Sequence, residues 1–143
     1  MREMGWILAA VTLILGLDLW LDVRGNPAWA KMKMELPVSG LQVRATGKQF
    51  NCDFTHPGPD GLLDTADDRK FENELHVPAG QPVRVALESV DVIHSLFVPN
   101  LRLKQDIIPG RTITAWFQVT RAGRFELACA ELCGFGHSGM RGW

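Results

Sequence analysis

Two cysteines, a histidine and a methionine lie close together near the end of the chain, in the stretch CAELCGFGHSGM. They are Cys129, Cys133, His137 and Met140, in the spacing C-x3-C-x3-H-x2-M. Thiolate, imidazole and thioether are soft metal ligands, and a thioether favours copper over zinc. Structural zinc usually takes four Cys or His ligands, and an iron–sulfur cluster takes four cysteines. The spacing therefore indicates a copper site.

Two other interpretations of this cluster stay open. Cys129 and Cys133 are close enough in sequence to form a disulfide in an oxidising compartment. The same pair is also what a copper chaperone or a thiol–disulfide redox protein would carry. Neither interpretation gives a role to His137 or Met140.

A single blue-copper ion takes one cysteine, two histidines and an axial methionine, so this cluster has one cysteine too many. The second thiolate is accounted for if two copper ions share two bridging sulfurs. Each ion then needs one more strong ligand, and the cluster holds only one histidine. His94, in the apolar stretch DVIHSLFVP, is the best second candidate. We expect His56 and His76 to be structural or solvated.

Short strands must position these residues. Alternation of apolar and polar residues predicts strands at LQVRATG, VRVAL and RFELAC, and β-forming residues predict strands at DVIHSLFV and TITAWFQV. Gly and Pro separate these segments at roughly ten-residue spacing, which is typical of an all-β sandwich or barrel. We expect no helix after residue 30.

Composition fits one packed domain of ordinary size, with 143 residues, 46% of them hydrophobic and 22% charged. A net charge of −1 argues against a nucleic-acid binder, and three cysteines do not form a disulfide framework. Charge is nevertheless uneven. The segment 53–74 holds seven acidic and two basic residues, whereas the segment 24–48 is basic. Within the acidic segment 53–74, the polar stretch THPGPDGLLDTADDRK at 55–70 is expected to form a solvated hairpin.

The N-terminal stretch MGWILAAVTLILGLDLWL predicts one transmembrane helix, since eighteen helical residues span about 27 Å. We expect RGNP at 24–27 to break it. A cleaved signal peptide is the alternative, with AWA at 28–30 as the cleavage site. These signals predict an anchor at 1–23, a linker at 24–40 and a β-domain at 41–143. The basic residues after the helix favour a cytoplasmic domain.

Three ordered stretches, DVIHSLFVP, LRLKQDIIPGR and GRFELACAELCGFGHSGM, resemble subunit II of cytochrome c oxidases of the haem–copper family. The resemblance runs from the anchor helix through Met140. It implies a cupredoxin-like Greek-key sandwich behind one transmembrane helix, holding a binuclear copper centre. Cys129 and Cys133 would bridge the two ions, with His94 and His137 completing one each. Met140 would be a weak ligand to one ion and the backbone carbonyl of Glu131 a ligand to the other.

The function implied by the resemblance is electron transfer within a respiratory terminal oxidase. The domain would receive electrons from cytochrome c and pass them to haem in subunit I, where oxygen is reduced and protons are pumped. The Glu131 side chain would reach a magnesium or manganese ion beside subunit I. The family places this domain outside the cytoplasmic membrane, which we follow over the weaker charge signal. A stand-alone copper electron-transfer protein is the alternative, besides the chaperone or thiol redox protein named above.

Some positions depart from the family pattern. Phe50 stands where the family has a tryptophan that contacts cytochrome c, and the family continues past Met140 with another core strand. We therefore expect a chain that lacks this strand. We also expect an apolar shell around the copper site that excludes water, formed by Phe97, Phe125, Leu132 and Phe135.

Overall fold

The computed structural model describes residues 2–143, with side chains described from Met4 onward, and divides them into two compact units. The first unit ends at Leu36 and the second comprises Pro37–Trp143. The second unit carries nine strands in two sheets. The predicted all-β sandwich, preceded by one apolar N-terminal helix, is confirmed.

The first unit is a single long helix. Helix α1 (Arg2–Trp29) continues into a π-helical turn (Ala30–Met34). The stretch Met4–Met34 is long and apolar enough to cross a membrane, and its most apolar window has no residue buried within the described structure. A helix that is apolar on all sides is typical of a protein core or of a membrane span, and the absence of burial within the described structure fits a membrane span.

The predicted break at Arg24–Pro27 is wrong, and so is the expectation of no helix beyond residue 30. Pro27 lies inside α1. A proline lacks one N–H, but its fixed φ is compatible with a helix, so the chain continues with the loss of one backbone hydrogen bond. The helix ends at Glu35, whose backbone N–H donates to the Ala30 carbonyl at 2.9 Å.

The first sheet of the second unit has five strands in the order β3-β2-β1-β4-β7. Strands β1 and β4 are parallel, and the other neighbours are antiparallel. The strands of this sheet are β1 (Leu41–Lys48), β2 (Asn51–His56), β3 (Arg69–Glu72), β4 (Pro82–Ser89) and β7 (Ile113–Gln118).

The second sheet has four antiparallel strands in the order β6-β5-β8-β9. They are β5 (His94–Val98), β6 (Leu103–Ile107), β8 (Leu127–Cys129) and β9 (Arg141–Gly142). Strand β8 is shorter than RFELAC predicted, because residues 124–126 form no ladder. Strand β3 emerges from the acidic segment 53–74, where the sequence predicted only a hairpin.

Buried apolar side chains alternate with more exposed ones along the strands, and the buried ones form the core. Every second residue of β1 and β4 is buried, including Val43 and Ala45 on β1 and Val83 and Leu87 on β4. Phe54 on β2 is fully buried among them. This period of two places one face of each strand against the opposite sheet.

Phe54→Ala tests this packing. Removing a fully buried phenylalanine side chain leaves a cavity, so we expect a loss of about 3–5 kcal/mol in the free energy of unfolding. Urea unfolding of the full chain in detergent measures it. Leu62→Ala, at a loop position with 63% of the side chain exposed, is the control and should change stability by less than about 0.5 kcal/mol. Equal midpoints for the two variants would contradict the assignment of Phe54 to the core.

Candidate metal centre

Two features of the second sheet bring the candidate ligands together. Across β5 and β8, Leu96 pairs with Cys129, so Cys129 ends its strand beside His94, the first residue of β5. Strands β8 and β9 form a hairpin, closed where the Cys129 N–H donates to the Met140 carbonyl at 3.0 Å. The hairpin tip, residues 130–140, is called the metal loop below.

The side chains converge around two sulfurs. The Sγ atoms of Cys129 and Cys133 lie 3.9 Å apart, and both cysteines are free thiols. A disulfide bond is about 2.05 Å long. The Sγ atoms of Cys129 and Cys133 and a ring nitrogen of His94 all lie within 4.8 Å of one another.

Each sulfur has one imidazole near it. His94 Nδ1 lies 4.0 Å from Cys129 Sγ, and His137 Nδ1 lies 3.6 Å from Cys133 Sγ. Each sulfur also lies near one atom that could act as a weaker metal ligand. The Glu131 carbonyl oxygen is 3.2 Å from Cys129 Sγ, and Met140 Sδ is 3.9 Å from Cys133 Sγ. The structure thus brings together all six residues that the sequence proposed as ligands, although their role as ligands stays a prediction.

The types of donor bear on which metal the site fits. A blue-copper ion takes one thiolate and two imidazoles. His94 Nδ1 lies 4.0 Å from Cys129 Sγ, and a ring nitrogen of His94 also lies within 4.8 Å of Cys133 Sγ. The soft donor set of thiolates, imidazoles and a thioether suits copper.

Burial keeps the thiol of Cys133 protonated in the absence of metal. Its side chain is buried, and burial, followed by the neighbouring Cys129, raises its pKa to about 11. A thiol must lose its proton to bind a metal ion. Metal binding at this site therefore releases protons.

Asp91 orients His94, and the sequence did not reveal it. Its Oδ1 accepts a hydrogen bond from His94 Nε2 at 2.8 Å. A carboxylate only accepts, so Nε2 carries the proton and Nδ1 presents its lone pair towards Cys129. Burial would raise the pKa of Asp91, but hydrogen bonds from His94 and from the backbone N–H groups of Gln49 and Val92 outweigh it and lower this pKa to about 2.

The predicted apolar shell is wrong for two of its four members. Leu132 and Phe135 lie in the metal loop and are both largely exposed. The loop turns the side chain of Cys133 inward and its flanking residues outward. Phe125 packs against the core and lines a groove, together with Trp143, that contains none of the six candidate ligands. Phe97 is half-buried on β5.

The other histidines lie elsewhere. His56 is buried at the end of β2, where its Nε2 lies 2.9 Å from the His76 carbonyl oxygen, and His76 is exposed. Cys52 is buried on β2, and burial raises the pKa of its thiol to about 12. Cys52 shares the wall of a small cavity with His94, Cys129 and Met140, which makes it a neighbour of the site.

Comparison with known proteins gives consistent matches. The family described as cytochrome c oxidase subunit II, periplasmic domain, matches residues 42–141. An alternative cytochrome c oxidase subunit 2 of Bradyrhizobium diazoefficiens is 37% identical over 74% of this chain and 46% of its own length. Cytochrome c oxidase subunit 2 of a Synechocystis species is 41% identical over 75% of this chain and 30% of its own length. The chain thus spans less than half the length of these relatives.

A solved structure shows the same fold. The periplasmic domain of subunit II of cytochrome oxidase from Bradyrhizobium japonicum superposes with a TM-score of 0.65. It is 31% identical in sequence, over 76% of this chain and 84% of that one. The cupredoxin-like sandwich implied by the sequence resemblance is confirmed by this match.

Gly47→Ala tests how tightly His94 is held. A Cβ at Gly47 would lie 3.0 Å from His94 Cδ2, so the fully buried ring would have to shift by a few tenths of an ångström. We expect a loss of about 1–3 kcal/mol in stability and weaker copper binding, measured by urea unfolding and by copper titration. Gly139→Ala is the control, because no atom lies within 4 Å of a Cβ there. If both variants bind copper like the unchanged chain, Gly47 does not position His94.

Proposed function

The chain belongs to the cytochrome c oxidase subunit II family, and on this basis we propose that it is the electron-accepting subunit of a respiratory terminal oxidase. In this proposal it receives electrons from cytochrome c or a similar donor. It passes them to haem in subunit I, where oxygen is reduced and protons are pumped. The observation that carries the proposal is the convergence of Cys129, Cys133, His94 and His137 at one end of the sandwich.

The family implies copper, and we propose that two ions occupy the site. Cys129 and Cys133 would bridge them, His94 and His137 would each hold one, and the weak donors would be the Glu131 carbonyl and Met140. When bound, such a pair supplies one-electron transfer in which the change of charge is shared between both ions.

The chain's own residues would keep this site rigid and shielded. Cys129 and His94 lie at the ends of paired strands, and scaffold strands hold functional groups more accurately than free loops do. Met140 and Cys133 are buried and exclude water from the inner side. The Asp91 carboxylate fixes the orientation of the His94 ring. Little would need to move when an electron arrives.

The outer side of the site would contact the partners. Leu132 and Phe135 of the metal loop are exposed, and so is Phe50 in the turn beside it, with 39% of its side chain accessible. An exposed apolar cluster of this kind is typical of a protein–protein contact. The Glu131 side chain is also exposed, and we propose that its carboxylate reaches a magnesium or manganese ion at the boundary with subunit I.

Helix α1 would anchor the chain. One apolar helix long enough to cross a membrane and a match to a periplasmic domain support membrane anchoring, and we propose a single-pass arrangement. We propose that the helix lies in the cytoplasmic (inner) membrane, in contact with lipid, and that the copper domain faces the periplasmic or outer side. The segment after the predicted anchor at residues 1–23 would then link the membrane to the sandwich that begins at residue 41.

Electron paramagnetic resonance of the copper-loaded full chain tests the two-copper assignment. We expect hyperfine splitting from one unpaired electron shared between two copper nuclei. Cys133→Ser should abolish that pattern, because one bridging sulfur is lost. His76→Asn, at an exposed histidine outside the site, is the control and should leave it intact. A signal from a single copper nucleus in the unchanged chain would rule out the binuclear centre.

Salt dependence of electron delivery tests a role for the acidic segment 53–74. Lys48 and Arg44 pair with Asp53 and Asp64 there, and the remaining carboxylates would attract a basic cytochrome c over a long range. Stopped-flow measurement of copper reduction should show a rate that falls about tenfold or more as salt screens this attraction.

Matched variants separate this segment from the net charge of the chain. Glu72→Gln should slow electron delivery at low salt, because its carboxylate is exposed within the acidic segment. Glu35→Gln, exposed in the other unit, should not. A reduction rate that does not depend on salt argues against steering.

A further inference from the structure

Two turns of the sandwich meet at the metal loop. One is the β1–β2 turn at Gln49 and Phe50, and the other joins β4 to β5 and contains Asp91. The backbone N–H of Gln49 donates to Asp91 Oδ2 at 2.7 Å. The same carboxylate binds His94 through its other oxygen. The position of the β1–β2 turn is therefore tied to the histidine on the Cys129 side of the site.

The β1–β2 turn also holds the Cys133 side of the site. Gln49 Nε2 donates to the Cys133 carbonyl at 2.6 Å. The Phe50 ring lies against the loop backbone just beyond, because a Cβ at Gly136 would come within 2.5 Å of Phe50 Cδ2. Gly134 has a φ of +136° and passes equally close, with its hypothetical Cβ 2.8 Å from Gln49 Nε2. Glycine at both positions allows the loop to approach the turn.

We propose that Gln49 is a positioning residue that sets the place of Cys133 relative to His94. The connection runs from His94 through Asp91 to the Gln49 backbone, and from the Gln49 side chain to the Cys133 carbonyl. It joins His94 to Cys133 by a route outside the metal loop. This inference rests on the proposed copper function for its purpose, while the hydrogen bonds themselves do not depend on that function.

The physical reason lies in how the metal loop is held. Its base is fixed by the ladder at Cys129 and by the Ala130 N–H, which donates to the Ser95 carbonyl at 3.1 Å. Further along, the His137 N–H donates to the Gly134 carbonyl within the loop itself. Cys133 lies between these points, and Gln49 supplies a link from there to the first sheet. Losing that link should let Cys133 move more than it lets Cys129 move.

Gln49→Met removes the donor and keeps the length of the side chain. Gln118→Met is the matched control, because Gln118 Nε2 likewise donates to a loop carbonyl, that of Gly80, at 3.0 Å. Thiol labelling of the copper-free full chain, resolved by peptide mass, should proceed about three- to tenfold faster at Cys133 in Gln49→Met. In the copper-loaded chain, the reduction potential and the copper hyperfine splitting should shift. Gln118→Met should leave the labelling rate, the potential and the splitting unchanged.

A second variant keeps the test valid if Gln49→Met does not fold. Gln49→Glu has the same shape but only accepts hydrogen bonds, so it should also speed labelling at Cys133. If both variants label Cys133 at the rate of Gln118→Met, the positioning role is overturned. If Gln49→Met labels faster while the unchanged chain gives a single-copper spectrum, the two-copper function fails and the positioning role stands.

Discussion

Cys129 pairs with Leu96 across two antiparallel strands, and the geometry of the candidate centre depends on that register. The pairing puts Cys129 beside the first residue of β5, which is His94. A shift by one residue would turn Cys129 to the other face of the sheet, away from His94. A second pairing, of β8 with β9, returns the other end of the loop to Cys129, whose N–H donates to the Met140 carbonyl. These two strand pairings together position a residue at each end of the metal loop.

The centre lies between a rigid interior and an accessible exterior. On the inside, the strands and the buried side chains of Cys133 and Met140 limit movement and exclude water. On the outside, Leu132 and Phe135 project from the same loop. Alternation of inward candidate ligands and outward apolar residues along one short loop fits the electron transfer proposed for this site, because no substrate needs to enter the interior.

The sequence predicted those features of the structure that follow from residue type or from the periodicity of apolar residues. Alternation predicted β1, β4 and β8, and β-forming residues predicted β5 and β7. The ligand types singled out the loop from Cys129 to Met140 and the distant His94 as a candidate site. Strand β3 was missed because four mostly exposed, charged residues show no apolar alternation. Asp91 and Gln49 were missed because their roles depend on backbone N–H groups and on a carbonyl, which leave no pattern in the residue types. The outward orientation of the Leu132 and Phe135 side chains follows from the conformation of the loop, which no periodic pattern in the sequence predicts.

X-ray absorption at the copper edge of the loaded full chain tests the central claim most directly, since it reports the neighbours of each copper ion. The account predicts a copper–copper distance in the scattering, with two sulfur neighbours and one imidazole nitrogen at short range for each ion. It also predicts two copper ions for each chain. A spectrum with one sulfur and two imidazole nitrogens around a lone copper ion would contradict it.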